Sequence, residues 1–375
     1  MFKILWQKKV VIVSLVLFLI LFPAVSVRPA QMLGQTLFLS IGIDKKTDGY
    51  EVSAIISVSQ FSPTGTATTK AISGSGNSVN AAIKKIEADQ GREISLAHCN
   101  LIVAGSGLAD ENLAATLHYF LRLYEMSNNA LIVYTDGDVK KLLETSIADK
   151  TGATGGILET IAASDKTATL DEFYKNYLRP SSANIVNIIN LNNGGDALDN
   201  LGDGAVFKKG KKILTLNPDQ MRAVRMVNSK SADDIVVLDN VNGAQVILQL
   251  RSKSSKINAK IKDVSGISKP IVSINLELTA TIKEIQDPVN PEAFLDIDNS
   301  SNFGIIKTAL EGKITADLDS ALEYTKTDKA DFLRFYDYFH RYDTAAFAKY
   351  MDGKDIEQLL AALDFNISVT AKIVV

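Results

Sequence analysis

The sequence of 375 residues predicts an α+β protein with three domains of mixed or antiparallel sheets and helices, after an N-terminal membrane anchor. Three observations predict this class. Several segments alternate apolar and polar residues with a period of two, which indicates strands with one buried face. Segments with an apolar stripe of helical period stand between them. An apolar run led by lysines begins the chain. We therefore expect helices packed against half-covered sheets.

Residues 1–27 are predicted to be a membrane anchor or signal segment. Three lysines among the first nine residues precede an apolar run at 10–22, and apolar character continues to residue 27. Positive charge before an apolar run keeps the N-terminus cytoplasmic, so the rest of the chain should lie outside the cytoplasm. The stretch 10–27 is long enough for a short membrane span, whereas 10–22 has the length of a signal-peptide core. We favour the uncleaved anchor, with cleavage as the alternative.

Residues 28–190 are predicted to form an N-terminal α+β domain with the element order ββ-αβαβα. Two alternating segments separated by Thr-Asp-Gly predict a hairpin, because that tripeptide favours a turn. The predicted strands are 37–44, 50–58, 101–104 and 130–134, and the predicted helices are 79–89, 108–124, 138–146 and 170–178.

Residues 191–265 are predicted to form a middle domain, and residues 266–375 a C-terminal α+β domain with a long helix. The Asn-Asn-Gly-Gly stretch within 191–203 marks the junction between the first two domains. The middle domain is predicted to hold a hairpin at 204–214, a helix at 217–227 and a strand at 245–263. The C-terminal domain is predicted to hold a strand at 271–285, helices at 303–324 and 330–341, and a final strand at 365–373, in a half-covered antiparallel sheet.

The residue types that support catalysis or metal binding do not form a recognisable pattern. His98, His118 and His340 have no metal-ligand spacing, and no nucleophile motif accompanies them. The single cysteine, Cys99, is expected to be a small buried apolar side chain. A net charge of −3 argues against nucleic acid as a partner. The sequence therefore predicts no catalytic residue, no cofactor and no metal.

Three other features each have two interpretations. The segment Gly105-Ser106-Gly107 follows a strand and opens a helix, so we favour a tight turn over an anion site at a helix N-terminus. Four lysines at 208, 209, 211 and 212 are expected to surround a solvated turn, with contact to an anionic membrane as the alternative. An aromatic stripe is typical of a core or an interface, and a ligand platform is the alternative. Its candidate interaction residues are Phe332, Phe335, Tyr336, Phe339 and Tyr342.

Short patterns in a fixed order carry a resemblance to a known family. They include Gly42-Ile43-Asp44 with Tyr50-Glu51-Val52, Gly91-Arg92 with His98 and the strand LIVAG, Gly204-Ala205-Val206-Phe207-Lys208, Ser252 to Ile257 with Lys269-Pro270, and Ala330-Asp331-Phe332. Together they resemble the Ger(x)C family, the C subunits of spore germinant receptors. Family members typically carry a lipid-modified cysteine after the signal core. This chain has none there, which favours a spanning anchor.

The resemblance implies a non-enzymatic subunit of a nutrient germinant receptor on the outer face of the spore inner membrane. Such a subunit would assemble with A-type and multi-spanning B-type membrane subunits and contact membrane lipid through its N-terminal segment. No catalytic residue carries over from the family. Two other classes stay open from the residues alone: an extracytoplasmic protein that binds a small ligand, and a cell-envelope hydrolase.

Overall fold

The computed structural model describes residues 35–58, 68–123, 125–148, 167–181, 183–195, 197–199, 202–228, 233–286 and 300–374. The predicted anchor at 1–27 lies outside these residues. Within them, the chain builds one sheet of nine strands and one of four, with helices packed against both. This arrangement confirms the predicted α+β class.

The larger sheet is mixed. Its strands are β1 (Thr36–Lys46), β2 (Gly49–Val58), β3 (Thr68–Gly76), β4 (Ile94–Ser95), β5 (Leu101–Ala104), β6 (Leu131–Tyr134), β7 (Ala183–Ile188), β10 (Gly204–Lys208) and β11 (Lys211–Leu216). The strand order is β11-β10-β7-β6-β5-β1-β2-β3, with β4 beside β1. The central pairs β1–β5, β5–β6 and β6–β7 are parallel, and the outer hairpins are antiparallel. Strands β8 (Asn190–Leu191) and β9 (Leu198–Asp199) form a small separate hairpin.

Helices cover both faces of the larger sheet. They are α1 (Val79–Gln90), α2 (Leu113–Leu121), α3 (Val139–Ala148) and α4 (Leu170–Tyr177). Buried apolar side chains of α1, α2 and α4 share one core, and those of α3 belong to a second core. The helix starts follow from local sequence: Ser78 caps α1, and Thr169 with Glu172 forms a capping box at α4.

The smaller sheet has the order β12-β13-β14-β15 and one covered face. The remaining elements are α5 (Pro218–Asn228), β12 (Asp233–Val241), β13 (Ala244–Val264), β14 (Ile267–Gln286), α6 (Ser300–Thr327), α7 (Phe335–Tyr342), α8 (Thr344–Met351), α9 (Ile356–Ala361) and β15 (Asp364–Val374). Strand β15 runs parallel to β14, because α6 to α9 return the chain to the end of the sheet where β14 begins. The prediction of an antiparallel C-terminal sheet therefore needs correction at this strand.

The predicted middle domain at 191–265 is divided between the two sheets. Strand β10 pairs with β7, so the hairpin at 204–216 completes the larger sheet. Strand β13 pairs along its length with β14, and the predicted boundary between residues 265 and 266 falls in the turn of that hairpin. The change from one sheet to the other occurs near α5 instead. Periodicity predicts that a segment is a strand but does not specify its partner, which explains the difference.

Candidate functional site

A polar cleft of about 610 Å³ lies between the two sheets. Its walls come from α4, from the start of β7, from α5 and from the segment that precedes α7. Clefts of this size are typical small-molecule sites, and junctions between structural units are a common place for them.

Most charged side chains of the cleft wall are already paired. Lys175 Nζ lies 2.5 Å from Asp171 Oδ2. Arg225 Nη2 lies 2.5 Å from Asp234 Oδ2. Arg179 donates to the Asn176 side-chain oxygen at 3.1 Å and lies 3.4 Å from Asp337. A ligand would therefore meet a wall whose charges are largely balanced.

Asn184 supplies an acceptor without a partner at the cleft. Its side chain is only 3% exposed and lines the cleft. Its Nδ2 donates to the backbone oxygen of Phe173 at 3.1 Å, which fixes the orientation of the amide. Within the described residues its Oδ1 has no hydrogen-bond partner. An unpaired buried acceptor costs about 1–3 kcal/mol, but less than 1 Å² of this oxygen is accessible, so a molecule in the cleft does not reach it.

Arg334 stands at the mouth of the cleft in a constrained conformation. Its φ is 61°, in the left-handed region that non-glycine residues seldom adopt. Within the described residues its exposed guanidinium makes no ion pair. The next turn of chain is fixed by Asp331, whose carboxylate accepts from the N–H groups of Phe335 at 2.7 Å and Tyr336 at 3.0 Å. Asp331 is fully buried, and burial raises its pKa to about 6 despite these hydrogen bonds.

The predicted aromatic interaction residues divide into core and surface positions. Phe332, Phe335 and Phe339 are buried in the core of the smaller sheet, and Tyr336 packs beside them half-buried. Tyr342 is 60% exposed. Its ring stacks on that of Tyr338, with the centroids 6.0 Å apart. These two tyrosines line a small recess together with Arg179, Arg334, Asp337 and Arg341. An interaction role for this end of α7 stays a prediction, and the three buried phenylalanines have a packing role.

The glycine-rich turn at 105–107 is a tight turn built around a carboxylate of the chain itself. Asp44 Oδ1 accepts from the N–H of Gly107 at 2.9 Å and from that of Lys45 at 3.0 Å. A Cβ atom on Gly107 would overlap the Lys45 backbone oxygen. The tight-turn interpretation is thus confirmed, and Asp44 already accepts from the N–H that an anion would need.

Lys208 and Lys212, at the two ends of the 208–212 stretch, contact distant parts of the protein. Lys208 Nζ lies 3.0 Å from Glu357 Oε1 and 3.2 Å from the Asp328 backbone oxygen, which ties the larger sheet to the C-terminal helices. Lys212 Nζ lies 2.8 Å from Asp136 Oδ1 and 4.5 Å from the centre of the Tyr134 ring. The expectation of a solvated turn needs correction for these two residues.

The cysteine and two of the histidines take structural positions. Cys99 is buried, and burial raises its pKa to about 12, so the apolar interpretation is confirmed. The ring of His118 stacks on Tyr174, and that of His340 stacks on Tyr336. Across the described residues, no group of three or more His, Cys, Asp or Glu side chains could hold a metal ion. No helix in this part of the chain is long and apolar enough to cross a membrane.

The sequence alone gives no sign of the cleft or of its two distinctive residues, Asn184 and Arg334. Asn184 lies in an ordinary strand segment, and its unpaired oxygen follows from tertiary packing alone. The left-handed conformation of Arg334 has no residue-type signal either. The position of Asp331 does indicate its role, because an aspartate shortly before a helical stretch favours capping of that helix.

Two protein-family models match this chain, and together they cover the strands of both sheets. Residues 35–191 match the model of the spore germination protein N-terminal domain, and residues 202–374 match that of the spore germination B3/GerAC like C-terminal region. The chain is similar to the "Putative spore germination protein YfkR" of Bacillus subtilis (strain 168), with 24% identity over 346 residues, 88% of this chain and 87% of that protein.

A solved structure shares the fold. The chain resembles the crystal structure of the GerBC protein with a TM-score of 0.56 at 15% identity, covering 89% of this chain and 97% of that one. With both family models matched in order, the chain belongs to the Ger(x)C family of spore germination proteins.

Proposed function

We propose that this chain is a non-enzymatic subunit of a nutrient germinant receptor. It assembles with A-type and B-type membrane subunits at the spore inner membrane, with its folded part on the extracytoplasmic side. The observation that carries the proposal is the match to both family models, which together span both sheets from residue 35 to residue 374.

The N-terminal segment and the folded part have different tasks in this proposal. An anchor at 1–27 holds the chain at the membrane, which converts docking onto membrane subunits into a nearly intramolecular event. The exposed end of α7 then provides a docking surface, because Tyr342, Tyr338 and Arg341 are residue types that interfaces favour.

Affinity purification of the full-length tagged chain from spore membranes tests the proposal. We expect A-type and B-type subunits to be recovered with the wild-type chain. The double variant Tyr338→Ala/Tyr342→Ala should recover less of both. Ile235→Ala is the matched control, since Ile235 is 59% exposed on a different sheet face. Recovery of neither subunit from intact membranes would contradict the proposal.

A second candidate function is the binding of a small ligand in the cleft. The exposed Arg334 in the cleft lining favours it, since this residue makes no ion pair with any described residue. Such a ligand would offer an anionic group to the Arg334 guanidinium.

A thermal-shift screen of the full-length chain with amino acids and sugars tests this candidate. Ligand at 100 times its Kd stabilises the folded state by about 2.7 kcal/mol, which raises the melting temperature. Arg334→Ala should remove most of the shift, and Lys349→Ala, at an exposed position on α8, should keep it. A shift that survives Arg334→Ala would place the ligand elsewhere.

A further inference from the structure

The hairpin of β13 and β14 extends beyond the rest of the smaller sheet. Strand β12 pairs with β13 only as far as Arg251, and β15 pairs with β14 only from Ile271 onward. Among the described strands, residues 260–270 therefore pair only with each other, and the Ile261 N–H donates to Asp343 Oδ2 at 2.7 Å. Ser265 and Gly266 join the strands with φ angles of 57° and 81°, as a two-residue turn of type I′ requires. We call residues 260–270 the hairpin tip.

One face of the hairpin tip carries an apolar end followed by lysines. Val264 pairs with Ile267 next to the turn, and these side chains are 40% and 63% exposed. The next pair on the same face is Lys262 with Lys269, since side chains two residues apart share a face. Lys260 follows one step further from the turn. The hairpin tip therefore presents two apolar side chains ahead of three cationic ones.

The turn at the opposite end of β13 has buried apolar neighbours. Asn242 and Gly243 also have positive φ angles there. The apolar residues beside that turn, Val241 and Ala244, are buried. A two-residue turn therefore does not by itself expose the apolar side chains beside it. Val264 and Ile267 are exposed because of where the hairpin tip lies in the protein.

On this face the hairpin tip itself carries only positive charge, and the acids nearest to it belong to neighbouring elements. Within the described residues, Lys260 and Lys262 make no ion pair, while Lys269 Nζ lies 3.6 Å from Asp364 Oδ2. The acid nearest the turn, Asp263, accepts a hydrogen bond from the Gly266 N–H. Two acids of α6, Asp319 and Glu323, line a recess beside Lys269.

We propose that the hairpin tip enters the headgroup region of an anionic lipid bilayer. Val264 and Ile267 insert to the level of the upper acyl chains, and Lys260, Lys262 and Lys269 contact lipid phosphates. A strand rises about 3.4 Å per residue, so the lysine pair lies about 7 Å behind the apolar pair. That spacing matches the depth of about 5–10 Å to which interfacial apolar side chains are buried. Long lysine stems can place their ammonium groups among the headgroups.

This contact goes beyond the proposed receptor assembly, because it concerns the folded part of the chain and lipid alone. The full-length chain is reconstituted into vesicles of phosphatidylcholine, with or without phosphatidylglycerol, in the absence of other subunits. Ser268→Cys receives an environment-sensitive dye beside the apolar pair. The native Cys99 is buried and stays unlabelled. Asn242→Cys, in the opposite turn, carries the same dye as the matched control.

We expect the dye at position 268 to shift its emission to the blue and to be quenched by spin-labelled lipid in the anionic vesicles. The dye at position 242 should report water in both vesicles. Adding Lys262→Glu and Lys269→Glu should lower the ratio of inserted to exposed tips about fivefold or more per lysine, since each contributes about 1 kcal/mol near an anionic surface. Adding Val264→Ser and Ile267→Ser should abolish quenching, with the circular dichroism spectrum unchanged.

Two results would overturn the proposal. One is a dye at position 268 that stays in water in anionic vesicles. The other is quenching that is equal at 268 and 242, since the N-terminal segment alone would then account for membrane contact. Neither result bears on co-purification with the membrane subunits.

Discussion

Replacing Asp331 with asparagine isolates the energetic effect of one buried carboxyl group. Asp331 is fully buried, and its oxygens accept hydrogen bonds from the N–H groups of Phe335 and Tyr336. Burial raises its pKa from 3.8 to about 6, because the loss of hydration outweighs these hydrogen bonds. Asp331→Asn keeps the shape of the side chain but cannot ionise.

The raised pKa sets the sign and the size of a pH dependence. Between about pH 4 and pH 6, the folded chain keeps a proton on Asp331 that the unfolded chain has released. The free energy of unfolding therefore falls as the pH rises through this window. A rise from 3.8 to about 6 corresponds to about 3 kcal/mol, since one pKa unit is about 1.4 kcal/mol.

Urea unfolding followed by circular dichroism measures this effect. Both full-length proteins are unfolded in the same detergent at pH 4, 5, 6 and 7. Other carboxyl groups titrate in both proteins and cancel in the difference. The free energy of unfolding of the wild type minus that of Asp331→Asn should fall by about 2.4 kcal/mol from pH 4 to pH 7, since the unfolded carboxyl group is already partly ionised at pH 4. Parallel pH profiles for the two proteins would refute the reasoning about burial.

Two further predictions concern two glycine positions and the buried cysteine. Gly107→Ala should lower the free energy of unfolding by about 2 kcal/mol or more, because its Cβ would overlap the Lys45 backbone oxygen. Gly312→Ala on α6, where a Cβ meets no atom, should raise it by about 1 kcal/mol, and equal effects of the two changes on urea unfolding would contradict this account. Cys99 should not react with a thiol reagent at pH 8 until urea unfolds the chain, because burial raises its pKa to about 12. Rapid labelling of the folded protein would contradict that expectation.

Elements with a strong period were predictable from the sequence. The alternation at 271–285 corresponds to β14, and the apolar stripe at 303–324 lies within α6. Local capping made other helices begin at residues different from those predicted. The predicted helix at 108–124 is a short 3-10 turn followed by α2, because the Asn112 side chain caps α2 by accepting from the Ala115 N–H.

Features that depend on tertiary packing were not predictable. Pairing of β10 with β7, and of β15 in parallel with β14, joins segments distant in the chain, and periodicity carries no information about such partners. The predicted helix at 330–341 begins only at Phe335, because Asp331 caps it and Arg334 adopts a left-handed conformation. The cleft arises from these same packing choices, so residue patterns gave no sign of Asn184 as its unpaired acceptor.

Native electrophoresis of the full-length chain, gently solubilised from spore membranes, tests whether this chain is a receptor subunit. We expect one complex that contains this chain together with an A-type and a B-type membrane subunit, and that loses this chain when Tyr338 and Tyr342 are both alanine. Migration of the wild-type chain alone, with the two membrane subunits elsewhere on the gel, would contradict it.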